Sequence, residues 1–233
     1  LRPAKIAIAP VLLAFAGGLL LAALAAPQFW GGIKLLPQER TLANLAGGLF
    51  TQPVSDARLE DAVAAWRAAA PWLDSSDGWT GYGDVLMASA RRSAADPALR
   101  RRRLEAADRA YREAIARDPA NGRAWTMLTA AAVERGGTPE TVLPLLRQAM
   151  RIGAHEPSLV FTRLDIAFYL WRVLDPALKA EAAKEVLSAA RFDVDRFTRL
   201  VRRHYLLEPV RAILDSDPDL KWKFDDWYLR LYP

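Results

Sequence analysis

Residues 104–128 read LEAADRAYREAIARDPANGRAWTML, and this stretch decides the fold class. Ala107, Tyr111 and Ala114 stand at i, i+4 and i+7, which places them on one face of a helix. The two alanines are small enough to let a second helix cross closely. Tyr111 between them is large enough to fill the groove that such a crossing leaves. Pro119 ends the segment and opens the next, because proline at a first helical position gives up no needed N–H donor. Trp125 and Leu128 then start a second helix with its own apolar side.

Outward from this junction the periodicity stays helical from about residue 53 almost to the end, and no stretch alternates like a strand. Four breaks carry helix-start chemistry: Asp96-Pro97, Thr138-Pro139, Asp175-Pro176 and Asp217-Pro218. Each offers an Asp or Thr oxygen to free backbone N–H groups, with proline next. With one extra residue near Gly136-Gly137, the helix that follows reads Val142, Leu146, Ala149 and Ala154. Upstream, Leu59, Val63, Trp66 and Pro71 have the spacing of a second helix and its closing proline. Trp79, Tyr82-Gly83 and Leu86 then read as a first helix, with an insertion containing Asp96-Pro97 and Arg100 to Arg103 before Ala107. Downstream, Leu164, Ala167 and Phe168, then Ala180, Val186-Leu187 and Ala189-Ala190, form a weaker pair.

The small–large–small pattern of Ala107, Tyr111 and Ala114, closed by Pro119 and restarted by Trp125 and Leu128, resembles the tetratricopeptide repeat. That repeat is a helix–turn–helix unit with a period of about 34 residues. The resemblance covers residues 55–190 and is sharpest at 104–154. It implies an all-α array of helical hairpins that acts without catalysis, through a concave groove and side chains displayed on rigid helices. Residues 191–233 carry the aromatics Phe192, Phe197, Tyr205, Trp222, Phe224, Trp227, Tyr228 and Tyr232. They are expected to cap the array's open apolar end, with Trp222 and Trp227 as candidates for docking a partner.

Residues 6–26, IAIAPVLLAFAGGLLLAALAA, hold no charge. A run of about 20 apolar residues is long enough to span a bilayer as a helix. It is longer than the core of a cleaved signal peptide, and Pro27 follows the small residues where cleavage would fall. A retained transmembrane anchor over 1–30 is therefore expected, with Gly17 and Gly18 allowing a partner helix to approach. Arg2 and Lys5 precede the span, and the positive-inside tendency puts the helical domain across the membrane, in the periplasm of a bacterium. Residues 31–54 are expected to be a juxtamembrane linker or an interfacial helix. A protein of this build is expected at the bacterial inner membrane, as an accessory or assembly subunit of a larger membrane complex. A tethered scaffold recruiting a client in envelope polysaccharide synthesis, export or secretion is the alternative.

Composition narrows the chemistry. The 233 residues include no cysteine and two histidines, with a net charge of +5. Disulfides, thiolate nucleophiles and Cys-ligated metals are excluded, and little remains for His-based catalysis. His155-Glu156 is not followed by a second histidine at helical spacing, and His204 follows Arg202-Arg203 on a basic face. Asp215, Asp217 and Asp219 lack the turn glycine of a calcium loop, since Leu220 stands there. Neither metal nor cofactor is expected, and the chain is not expected to be an enzyme. The basic run from Arg91 to Arg117 places Arg102, Arg109 and Arg112 on one broad helix face. Glu105 and Glu113 offer local ion pairs there. These arginines are candidates for anionic lipid, an acidic polymer or a partner protein. Nucleic acid is not expected, because aromatics are not interleaved with them.

Overall fold

The computed structural model describes residues 15–22, 26, 35, 54–72 and 75–231. Ten helices follow one another from residue 56 on: α1 (Asp56–Ala69), α2 (Ser76–Arg92), α3 (Pro97–Arg117), α4 (Gly122–Glu134) and α5 (Pro139–Ile152). After short 3-10 turns come α6 (Val160–Tyr169), α7 (Pro176–Phe192), α8 (Val194–Arg203), α9 (Leu207–Leu214) and α10 (Pro218–Leu231). No strand occurs among the described residues.

The helices start where side-chain oxygens can take up orphan N–H groups. Ser55, Ser75, Asp96, Asn121, Asp175 and Asp193 each accept from the backbone N–H three residues on. Asp217 does the same for Leu220 at 3.2 Å. Thr138 does not: its side chain makes no cap bond, so α5 relies on Pro139 and on Glu140 in its first turn. A carboxylate there is favoured by the partial positive charge of the helix start.

Sequential helices pack as antiparallel hairpins, α2 on α3, α4 on α5 and α6 on α7. Across hairpins, α2 packs on α4, α4 on α6 and α6 on α8. The first helices of successive hairpins therefore line one side of a stacked array, and α8 continues that line. Ala107, Tyr111, Ala114 and Leu128 are all fully buried. Half-buried Trp125 donates its Nε1–H to the Pro119 carbonyl at 2.9 Å, closing the turn between α3 and α4. Tyr111 lies so close to Gly83 of α2 that an added Cβ would sit 2.4 Å from its ring. Its hydroxyl donates to Asp84 at 2.9 Å, and Arg123 of α4 pairs with the same carboxylate at 2.7 Å. Burial holds the Asp84 carboxyl above its ordinary range although Arg123 opposes the shift. The three groups tie α2, α3 and α4 together through one polar contact inside an apolar core.

One expectation needs correction. Ala154 is not part of the helix with Val142, Leu146 and Ala149, because α5 stops at Ile152 and a 3-10 turn carries Ala154, exposed. At the stop, Gly153 lies against Gly122 and the Arg163 guanidinium, where a side chain would crowd the guanidinium. The insertion at 96–103 lies between α2 and Ala107 and forms the first two turns of α3, with Pro97 at the start.

The core falls into two clusters. The first runs from Val54 to Ala182 and centres on α1–α5. Leu35, within the expected juxtamembrane stretch, packs against it. The second joins Val160, Phe161, Leu164 and Phe168 of α6 to α7–α10, including Phe197 and Phe224. Helix α6 serves both, giving Ile166 and Ala167 to the first, with Leu170 just beyond its end. The expected span at 6–26 lies for the most part outside the described residues. Of it, residues 15–22 are helical and exposed, and nothing would meet a Cβ added at Gly17 or Gly18. Among the described residues no helix is long and apolar enough to cross a membrane.

Candidate functional site

The inner line of helices leaves a groove. A concavity of about 490 Å³ is walled by Arg91 of α2, Glu134 of α4, Phe161, Thr162 and Asp165 of α6, and Arg196, Arg199, Leu200 and Arg203 of α8. The amphipathic pattern of α8 places these groups. Phe197, Thr198, Leu200 and Val201 are buried, which turns Arg196, Arg199 and Arg203 outward together. Arg91 and Arg203 also sit in the last turns of α2 and α8, where a cation complements the helix dipole.

The charges in the groove are held unequally. Arg91 pairs with Glu134 at 2.8 Å, and Arg100 approaches the same carboxylate at 3.6 Å. Asp165 lies 2.7 Å from Nε2 of His204 and 3.5 Å from Arg203. The His204 hydrogen bond, with help from Arg203, holds the Asp165 carboxyl below its ordinary value against partial burial. The His204 ring packs edge-on against Phe168, which fixes the nitrogen toward Asp165. Arg199 pairs with Asp195 one turn back on its own helix. Arg196 is different. Its guanidinium carbon lies 4.2 Å from the centre of the buried Phe161 ring, and no carboxylate pairs with it among the described residues. The groove is thus a cationic strip with an aromatic and aliphatic floor, crossed by two carboxylates.

The structure places the sequence-derived candidates elsewhere. Arg102, Arg109 and Arg112 are exposed on α3, a second helix of its hairpin, and none lines the groove. Arg112 is bonded to Asp108, which also binds Arg135 at the end of α4. Much of the basic run is engaged internally: Arg92 with Asp56, Arg117 with Glu113, and the largely buried Arg103 with Glu60. Trp222 is exposed and Trp227 half-buried on α10, where Phe224 anchors the helix to Phe197. The groove arginines of α8 escaped the sequence reading. The signal for them was present, since Arg196, Arg199 and Arg203 stand at i, i+3 and i+7 between buried apolar residues. Among the described residues no group of three or more His, Asp or Glu is placed to hold a metal ion.

No known protein-family profile matches the chain, and no curated protein does. Among solved structures it is similar to the crystal structure of YrrB, a TPR protein with an unusual peptide-binding site. The sequence identity is 16%, over 73% of this chain and 84% of that one, with a TM-score of 0.42. At that distance, the functional reading rests on this chain's own packing and charges.

Proposed function

We propose that this chain is a non-catalytic assembly subunit that grips a partner protein in the groove along α2, α4, α6 and α8. The convergence of four non-sequential helices on one concave, charged surface carries this reading. Side chains on stacked helices are held by core packing on one side only, so the other side presents a preorganised surface with little ordering cost on binding. The tetratricopeptide-like spacing around Tyr111 agrees with such a role. The uncharged stretch 6–26 supplies a membrane anchor, and Arg2 and Lys5 ahead of it put the helical domain on the periplasmic face of a bacterial inner membrane. Confinement to the membrane raises the domain's effective concentration near membrane-complex partners without any new contact. The anchor's Gly17 and Gly18 present a smooth surface to a partner helix.

The test is co-purification from membranes in mild detergent with the full chain, comparing wild type, Thr162→Trp and a Gly17→Leu/Gly18→Leu double variant. Thr162 is half-buried in the groove wall, and an indole there fills it. Loss of the partner protein with Thr162→Trp, while the chain remains in the membrane fraction, is the expected outcome. Full recovery of every partner with both variants refutes the reading.

A further inference from the structure

We propose that the groove selects an extended acidic segment of its partner, with carboxylates seated on Arg196, Arg199 and Arg203. This deepens the reading of the groove as the partner site and rests on it.

The three arginines form a stripe on α8 that spans about 10 Å at a rise of about 1.5 Å per residue. Their existing partners leave them available in graded fashion. Arg196 is stacked on Phe161 and has no carboxylate partner among the described residues. Stacking occupies the face of a guanidinium and leaves its edge N–H donors for a planar carboxylate, bidentate and in line. Among the described residues Arg199 is bound to Asp195 on its own helix, with more than half of its side chain exposed. Such a surface pair is worth little and exchanges readily. Arg203 stands 3.5 Å from an Asp165 that is more closely engaged by His204. A chain in β conformation repeats its side chains on one side every 6–7 Å or so, so two or three acidic residues cover the stripe.

The groove's own carboxylates decide between a peptide and a uniform polyanion. Glu134 and Asp165 stand among the arginines. They repel an unbroken run of negative charge, whereas their free lone pairs accept main-chain N–H groups or a hydroxyl of a peptide. The floor of Phe161 and Leu200 takes an apolar side chain between acidic ones. A polyphosphate offers neither the donors nor the apolar group, and the hydroxyls of a phosphatidylglycerol headgroup come without an apolar side chain beside them.

The experiment is fluorescence anisotropy on the full chain in mild detergent. The probe is a labelled peptide about twelve residues long, with glutamates alternating with small and apolar residues, beside its glutamine counterpart. At low salt the glutamate peptide is expected to bind about tenfold tighter, the scale of one charge-assisted contact. Arg196→Gln should lower its affinity about tenfold and Arg196→Lys by less, because lysine keeps the charge and loses the planar fork. Arg112→Gln on α3 should change nothing. Circular dichroism melts of each variant separate loss of contact from loss of fold, and Arg196 is exposed enough to be replaced without disturbing the core. Equal binding of the two peptides, including no binding of either, overturns the acidic preference. If Thr162→Trp still abolishes partner recovery in that case, the groove stands as a partner site of different chemistry. If it does not, the groove reading falls with it. Tighter, Arg196-dependent binding of polyphosphate or phosphatidylglycerol vesicles than of the glutamate peptide also overturns the proposal.

Discussion

Gly83→Ala is a one-carbon test of how α2 and α3 cross. The new Cβ would lie 2.4 Å from Cε1 of Tyr111 and 2.7 Å from Cδ1 and Cζ, about 1 Å inside normal carbon contact. The ring cannot swing away, since Tyr111 is fully buried and its hydroxyl is fixed to Asp84. The helices must separate instead, and overpacking of this kind costs about 1–3 kcal/mol. Against that, alanine in a helix interior is favoured over glycine by roughly 1 kcal/mol. The net expectation is a destabilisation of about 1 kcal/mol, read from urea unfolding followed by circular dichroism. The same change in a Tyr111→Leu background should reverse sign, because leucine has neither Cε1 nor Cζ and the propensity gain is left alone. The coupling between the sites is then about 2 kcal/mol, well above the few tenths seen for independent positions. If Gly83→Ala leaves the parent as stable or more stable, the close crossing inferred here is wrong.

Other perturbations follow from the same geometry. Asn121→Ala removes the cap on Ala124 N–H and the amide bonds to Ser76 and Thr80, and should cost about 1–2 kcal/mol by chemical denaturation. Thr138→Ala, which loses no cap bond, should cost only a fraction of that. Tyr205 is exposed and held at a φ of 56°, so Tyr205→Gly should raise stability by roughly 1 kcal/mol. Asp165 has a lowered carboxyl value, so its share of stability is complete above the ordinary carboxylate range and is lost as pH falls through the depressed value. The stability gap between wild type and Asp165→Asn should accordingly close as pH drops below about 4, and a constant gap down to acid unfolding would contradict the His204–Asp165 link. Arg163→Met leaves Glu185 buried without its bidentate partner and should cost about 3–5 kcal/mol, most of it recovered in an Arg163→Met/Glu185→Leu double variant.

What the sequence made legible was the part governed by volume and local chemistry. Ala107, Tyr111 and Ala114 were readable because helix crossing demands small and large residues at fixed spacing, and aspartates before prolines marked the starts of α3, α7 and α10. The bonds of Asn121 to Ser76 and Thr80 and the Gly83–Tyr111 contact were less visible, since each joins stretches far apart in the chain. The groove was the least visible. Arg91, Glu134, Asp165 and Arg196 are far apart in the chain, and only the stacking of alternate helices brings them together. The conspicuous arginines at 100–103 drew attention by density, yet Arg103 is spent inside the fold on Glu60 and Arg100 on Glu134. Arg163 and Glu185 carry no mark of burial in the sequence, and packing buries both as a pair.

The division of the core has a mechanical meaning. Helix α6 contributes to both apolar bodies, and the groove lies across that seam, with Arg91 and Glu134 on one bank and Arg196 and Leu200 on the other. An occupant bridging the banks acts as a splint. It should slow amide exchange in α8 and α9 as much as in α2 and α4, although it touches neither α9 nor the packing beneath. Flexing at α6 would in turn set the width of the groove, so that strain applied to the carboxyl-terminal body is felt as a change in grip.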